Sequence, residues 1–488
     1  MPETAVATVP RYGVFTDKGY VVGSDDTFPV VNPDNQQIIA QCTTAGTESI
    51  ESAVNTAQKS TQTWQKLAPA ERERILLKCA DALESARDTL TDLMLQESGS
   101  TLAKAAGEVA YGASLTRTAA GETRRLYGDT FPNDRPHRLT LVQREPLGVV
   151  AAISPFNSPL ALLLKMIVFP LAAGNAVISK PSEFTPLTAL KVAELFMEAG
   201  LPPGTLQVLT GSGAEVGARL VAHPGVNGIA FTGSTAAGIQ IGQTAMTSMK
   251  RVQLELGGKN PLIVLADYPL ELAVKIAAVG AFFHAGQICM SASRLIVERS
   301  IAREFAEALA AHARGLRLGD LRDPQTAYGP LISEKAAAKT VRHVQDARDH
   351  GAEILCGGES AGGWRWQPTV VWQPPRESLV WREETFGPVV GVVPADSLEQ
   401  AIALANDSQY GLSAGILTHD MVAGVRAARE IRAGAVHIGS HPFQSDALAP
   451  VGGVGLSGVG RSGGHYSTEH FTELKWISVE LGEAPRPF

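Results

Sequence analysis

The stretch GQICMSASR, residues 286–294, sets Cys289 between a helix-like apolar run and the strand-like RLIV. A thiol in such a place is either a small buried hydrophobe or a nucleophile. A thiolate that attacks a carbonyl needs a donor for the resulting oxyanion and a base to release the acyl group. Candidates for both exist. Asn157, inside SPFNSP, reads as an Asx turn or as a rigid side-chain amide aimed at an oxyanion. Glu255, inside VQLEL, is a carboxylate in apolar company, where burial raises its pKa toward that of a usable base. An ion pair with a core lysine is the duller alternative for it. His284, five residues before the thiol, and His437 and His441 near a later strand end keep a Cys–His hydrolase open.

Ligand sites in α/β proteins gather where strands end and helices begin. Four such junctions carry polar residues: SPFNSP after VVAAI, KPSE after AVIS, TGSTAAG after GIAF, and GGKNP after VQLEL. FTGSTAAG puts Gly233 and Gly238 at a strand-to-helix turn whose open amides suit a pyrophosphate, or which is a tight turn with no ligand. Its spacing is neither GxGxxG nor a GK[ST] loop. Glu183, three residues after Lys180, either accepts ribose hydroxyls and repels a 2′-phosphate, or serves as a helix N-terminal carboxylate.

The elements that must position these residues follow from the hydrophobic pattern. The first third is helix-rich, and a single helix is expected from Pro69 over PAERERILLKCADALESARDTLTDLM, with Ile75, Leu76, Cys79, Leu83 and Leu90 on its inner face. Cys79 is therefore core. From residue 147 short apolar runs alternate with amphipathic helices, which predicts a doubly wound parallel sheet, and a second α/β series follows Cys289. Two units joined near residue 260 is the simplest partition of 488 residues. The glycine-rich VGGVGLSGVGRSGG at 451–464 reads as an ordered loop beside a site or an interface, or as a flexible linker.

A formal net charge of −7 argues against a nucleic-acid footprint. The start lacks the pattern of a signal peptide. The greasiest segment, from Leu160, is broken by Lys165, Pro170 and Asn175 and reads as a buried helix, so no membrane partner is expected. Four scattered cysteines, with no CxxC, imply reduced thiols, a cytoplasmic protein and no metal.

Taken together these segments resemble the aldehyde dehydrogenase superfamily along nearly the whole chain. SPFNSP resembles its Pro-Trp-Asn-Phe-Pro segment, KPSEFTP its adenosine-ribose motif, and FTGSTAAG its pyrophosphate turn. LELGGKNP resembles its glutamate signature, GQICMSASR its cysteine signature, and EETFGPVV its nicotinamide-ribose motif. The resemblance implies a Rossmann-like cofactor domain (1–125 and 147–257), an α/β catalytic domain (258–460) and a small β oligomerisation arm (126–146 and 461–488) that pairs RLTLVQREP with ELKWISVEL. It implies that Cys289 attacks an aldehyde, that Asn157 and the Cys289 amide hold the oxyanion, and that Glu255 activates water against the thioester left by hydride transfer. Lys180 and Glu183 would bind the adenosine ribose, Gly233 and Ser234 the pyrophosphate, and Glu384 the nicotinamide ribose. Ser154, Phe156, Ser182, Gly257 and Phe386 complete the cofactor side. The cofactor expected is NAD, with NADP possible, and the assembly a homodimer or homotetramer.

The chain departs from the family in places. Phe156 replaces a tryptophan and Ser158 an aromatic. Lys165 stands where many relatives carry a large apolar residue, and either binds a carboxylate or snorkels to solvent. Ser462 stands where some have a glutamate. The expected tunnel of Ser158, Leu162, Lys165, Phe283, Ile288, Met290 and Phe443, bordered by Gln444, suits an aromatic or apolar aldehyde of benzaldehyde type. Lys165 leaves a carboxylate-bearing semialdehyde as the alternative. A thiol esterase without a redox step and a nucleotide-binding scaffold without activity are the competing classes.

Overall fold

The computed structural model describes residues 9–22, 26–135 and 137–482. The outer ends of the expected cofactor and arm segments, residues 1–8 and 483–488, lie outside the described residues, as do 23–25 and 136.

Two sheets dominate. In the first, five parallel strands run in the order Arg251–Glu255, Gly228–Thr232, Val149–Ile153, Ala176–Lys180, Leu206–Val208. Short antiparallel strands extend both edges: Gly458–Val459 on one side, Val14–Thr16 and Gly19–Val21 on the other. The apolar runs VVAAI and AVISK are buried at every position because helices cover both faces. Val150, Ala152 and Val177 face the core built on the helix Ala161–Ala172, while Val149, Ala151, Ile153 and Ile178 face the core of Thr47–Trp64. Trp64 is fully buried and its indole N–H donates to the Leu171 carbonyl at 2.8 Å, pinning one helix to the other. The chain winds outward in opposite directions from Val149–Ile153 and Gly228–Thr232, so the crevice of a doubly wound sheet opens beyond their carboxyl ends.

The second sheet runs Glu353–Cys356, Thr369–Trp372, Val389–Ala395, Ala292–Glu298, Asn260–Val264, Ser413–Leu417, Ala435–Ile438, parallel except for its first strand. Carboxyl ends of the first sheet thus approach the amino ends of Asn260–Val264 and Ala292–Glu298. A third sheet stands apart: Arg138–Pro146 pairs antiparallel with Thr472–Glu480 from Pro146↔Thr472 to Arg138↔Glu480, and with Asp129–Thr130 on its other side. This is the expected pairing of RLTLVQREP with the chain's last strand.

Some expectations change. The helix from Pro69 is two, Pro69–Ser85 and Arg87–Ser98, broken at Ala86 where the backbone leaves helical geometry (φ −93°, ψ 16°). Ile75, Leu76, Cys79, Leu83 and Leu90 are nonetheless all buried, Cys79 in the core. The short strands before residue 45 and the hairpin Ser360–Gly362 with Arg365–Trp366 carry too little pattern to be read from sequence. The glycine-rich segment is ordered, and its strand Gly458–Val459 crosses back to pair with Leu254 and Glu255 of the first sheet. Among the described residues no helix is long and apolar enough to cross a membrane.

Candidate active site

Cys289 stands at the end of a strained turn. His284, Ala285 and Gly286 all adopt left-handed backbone (φ 51°, 55° and 68°), reversing the chain after the helix Leu270–Phe282 so that it can enter Ala292–Glu298. At Gly286 a side chain would strike the Gly387 carbonyl, so glycine is required there. The Cys289 carbonyl is fixed by the Asn260 side-chain amide at 2.8 Å, which also donates to Ser291 O at 2.9 Å. Cys42, Cys79 and Cys356 are buried; Cys289 alone of the four is partly accessible.

It opens into a cavity of about 260 Å³ lined by Asn157, Glu255 and Cys289 and by all seven expected tunnel residues, Ser158, Leu162, Lys165, Phe283, Ile288, Met290 and Phe443. Phe283 and Phe443 stack, with centroids 5.5 Å apart and planes 29° apart, forming an aromatic wall. Gln444 is turned away, donating to Ser440 Oγ at 2.6 Å, and does not line the cavity. Lys165 does not snorkel: it is 7% exposed, and its charge acts on Glu255, Cys289 and Asp446. The reason is its place on Ala161–Ala172, a helix buried on nearly every side, which leaves the stem no route to solvent.

Asn157 is buried and donates one amide hydrogen to the Gln287 carbonyl at 2.8 Å, which ties the segment after Val149–Ile153 to the cysteine turn. A carboxamide has two N–H donors, so the second stays available for an oxygen in the cavity. Glu255 ends its strand with the carboxylate inside; Oε1 is buried without a hydrogen bond. Burial raises its pKa above the ordinary carboxylate range, opposed by the charges of Lys165 and Arg461. The ion pair considered as its duller role is not formed among the described residues. Burial likewise pushes the Cys289 thiol up to about 12, with Glu384 and Glu255 adding to the rise and Lys165 opposing it.

Among the expected cofactor residues, Phe386 and Phe156 are in ring contact, and Phe156 in turn meets Phe184 beside Glu183. Glu384 Oε1 accepts the Gly258 N–H at 3.1 Å, and a Cβ at Gly257 would lie 2.5 Å from its Oε2. Phe386, at φ 56°, meets Phe156 edge-on (5.8 Å), and Phe156 meets Phe184 in the same way (5.8 Å). Phe184 adjoins Glu183, whose carboxylate lies 3.6 Å from Lys180 Nζ. Ser182 Oγ accepts the Phe184 N–H at 3.3 Å, and the Ser154 N–H donates to the Lys180 carbonyl at 3.1 Å. Ser234 caps the helix Thr235–Met246 by accepting the Ala237 N–H, and the Gly233 N–H donates to the Glu255 carbonyl. Gly238 lies inside that helix, not at the turn, where its bare Cα makes room for Leu256. Glu183 is not a helix cap: the helix Pro186–Glu198 is capped from outside by Glu97, which accepts the Leu187 and Thr188 N–H groups at 2.8 and 2.9 Å.

Residues with no sequence signal complete the cavity. Glu108 Oε2 accepts the Leu160 and Ala161 N–H groups at 3.3 and 3.2 Å, capping Ala161–Ala172, which has no cap of its own. Its other oxygen pairs with Lys104, whose Nζ also reaches Ser100 Oγ at 3.0 Å. Lys104, Glu108 and Tyr111 of the helix Leu102–Glu122 all line the cavity.

A cysteine, a buried carboxylate and a side-chain amide thus meet in one cavity. The sequence profile of the aldehyde dehydrogenase family matches residues 20–477. The chain belongs to the aldehyde dehydrogenase family. It is 40% identical over 479 residues to an NAD(+) benzaldehyde dehydrogenase of Pseudomonas putida, covering 98% of each chain. Among solved structures it is similar to an NAD-dependent aldehyde dehydrogenase from Sinorhizobium meliloti (TM-score 0.96, 36% identity, 98% of this chain and 97% of that one). It is also similar to Staphylococcus aureus betaine aldehyde dehydrogenase in complex with NAD+ (TM-score 0.95, 32% identity, 98% of this chain and 97% of that one). The reaction of this family member is oxidation of an aldehyde to the carboxylic acid.

Proposed function

We propose that the chain oxidises an aromatic aldehyde of benzaldehyde type to its acid, with Cys289 as nucleophile and NAD+ as oxidant. The observation that carries the reading is the single cavity holding Cys289, Asn157 and Glu255 behind the stacked Phe283–Phe443 wall. Likeness to the Pseudomonas putida enzyme supports the substrate class. Glu183 and Lys180 would hold the adenosine ribose, the Gly233–Ser234 turn the pyrophosphate, and Glu384 the nicotinamide ribose, with Phe156 and Phe386 packed between. Gly257 suits this role because a side chain there would collide with Glu384. A dinucleotide held there would supply the acceptor for the substrate's hydride.

The chain's own groups do the rest. Cys289 Sγ, as thiolate, bonds to the aldehyde carbon, and the charge that develops on oxygen meets the free Asn157 N–H and the Cys289 backbone N–H. Glu255, ionised, takes a proton from the water that attacks the thioester, and Cys289 leaves as the product acid forms. The apolar walls keep other water out. Ser462 lines the cavity where some family members have a glutamate, so this position gives Glu255 no second acid. We further infer a cofactor domain and a catalytic domain meeting at this cavity, with the division near residue 258. The antiparallel arm joins copies into a homodimer or homotetramer, and the protein works in the cytoplasm.

The test is NADH formation across a panel of aromatic, aliphatic and carboxylate-bearing aldehydes, with NAD+ and NADP+ and with Cys289→Ala as control. Benzaldehyde-type compounds with NAD+ should lead in kcat/KM and Cys289→Ala should be inactive. A leading semialdehyde would overturn the substrate class, and a leading NADP+ the cofactor.

A further inference from the structure

Lys165 lines the same cavity as Cys289 and Glu255, yet the proposed reaction gives it no part. An ammonium in an apolar wall is costly to bury unless charge of the opposite sign answers it. Its place is fixed, because the helix that carries it is braced at its first turn by Glu108 through the Leu160 and Ala161 N–H groups. Glu108 is itself neutralised by Lys104, so that pair asks nothing of Lys165.

The charges that act on the thiol come from three elements. The strand Arg251–Glu255 brings Glu255 and the segment after Leu379–Arg382 brings Glu384, both negative; the helix Ala161–Ala172 brings Lys165. Arg461, on the glycine-rich loop, acts on Glu255, and Asp446, next to the lining residue Ser445, acts on Lys165. Lys165 is therefore the cation among the side chains whose charge reaches Cys289. It is also one of the two cations that act on Glu255, whose Oε1 has no hydrogen bond.

We propose that Lys165 is a positioning residue for both halves of the reaction: its fixed ammonium holds the charge of the Cys289 thiolate and, once the sulfur is acylated, the charge of Glu255. Ionisation of the thiol breaks the S–H bond and leaves its proton with solvent; burial lowers the pKa of Lys165, and the charges of Glu255, Cys289 and Asp446 oppose that and keep the ammonium. The lysine thus offsets the burial and the two carboxylates that would otherwise keep the thiol protonated. This rests on Cys289 being the nucleophile but on no particular aldehyde or cofactor.

The test reads the thiol directly. Full-length protein without cofactor is alkylated with iodoacetamide from neutral to alkaline pH, and the label is assigned to Cys289 by peptide mass spectrometry. Lys165→Met should move the rate profile up by about one pH unit, tenfold fewer thiolates at a given pH. Greater intrinsic nucleophilicity returns part of that, so alkylation at neutral pH should be about threefold slower. Lys165→Arg should restore the profile, which a role in packing alone would not. Lys165→Gln serves where the methionine variant does not fold. A wild-type profile in the neutral variants overturns the proposal, and so does a wild-type profile joined to selective loss of carboxylate-bearing aldehydes, which assigns Lys165 to the substrate. An inactive wild type whose alkylation still responds to Lys165 would strike the functional reading and leave only the lysine's hold on the thiolate standing.

Discussion

A carboxylate takes a proton from water only while it is ionised, so burial that raises Glu255 also delays its usefulness as pH climbs. Deacylation should therefore strengthen as pH rises through a value above the ordinary carboxylate range, and fade below it. Rapid-quench measurement of thioester hydrolysis against pH should show that limb in the wild type and its loss in Glu255→Gln. Among the expected cofactor residues, Glu183 is half-exposed beside Lys180. Glu183→Ala removes the charge that opposes a 2′-phosphate and should shift the kcat/KM ratio toward NADP+ by about tenfold or more, an effect of roughly 1.4 kcal/mol. Cys289, Glu255 and Asn157 were each ambiguous alone in the sequence and were singled out by their company and by the family resemblance; the structure sets all three in one cavity. Lys104 and Glu108 were not singled out: at i and i+4 on a helix they look like any surface ion pair, and only the fold turns them inward. The direction of Lys165 was open for a similar reason, since snorkelling depends on what surrounds its helix.

At the level of elements, the positions of the reacting groups depend on how helices and turns begin. Without Glu108 the helix Ala161–Ala172 loses its cap and Lys104 is left buried without a counter-charge. Glu108→Ala should destabilise the fold by about 3–5 kcal/mol, read as a lowered midpoint in urea. It should also raise KM for the aldehyde, because Leu162 and Lys165 lie on that helix. Gly286→Ala drives a side chain into the Gly387 carbonyl at a left-handed position, so the cysteine turn must shift. That variant should lose kcat by about a hundredfold, since small misplacements of reacting atoms have costs of that order. The parallel strands were readable as unbroken apolar runs because both faces of each sheet are covered. The break at Ala86 was not, because the apolar stripe continues across it and no proline or glycine marks it.

Across the whole molecule, two sheets contribute to a cavity that neither could build alone: Glu255 ends one strand of the first and Asn157 follows another, while Cys289 precedes a strand of the second. The glycine-rich segment crosses between them, adding Gly458–Val459 to the first sheet while Val451 and Ser462 line the cavity. Its role was only half legible, as glycine density announces an ordered loop without saying what it joins. Among the described residues the arm leaves the apolar side chains of Leu474 and Trp476 largely exposed. Trp476→Glu should lower the mass measured by light scattering toward that of one chain.

Acyl transfer through Cys289, completed by Glu255, underlies every step proposed above. Its most direct test is intact and peptide mass spectrometry of Glu255→Gln mixed with benzaldehyde and NAD+. The account predicts one acyl group on the peptide carrying Cys289, formed together with about one equivalent of NADH. An unmodified Cys289 in a variant that still turns over at the wild-type rate would contradict it.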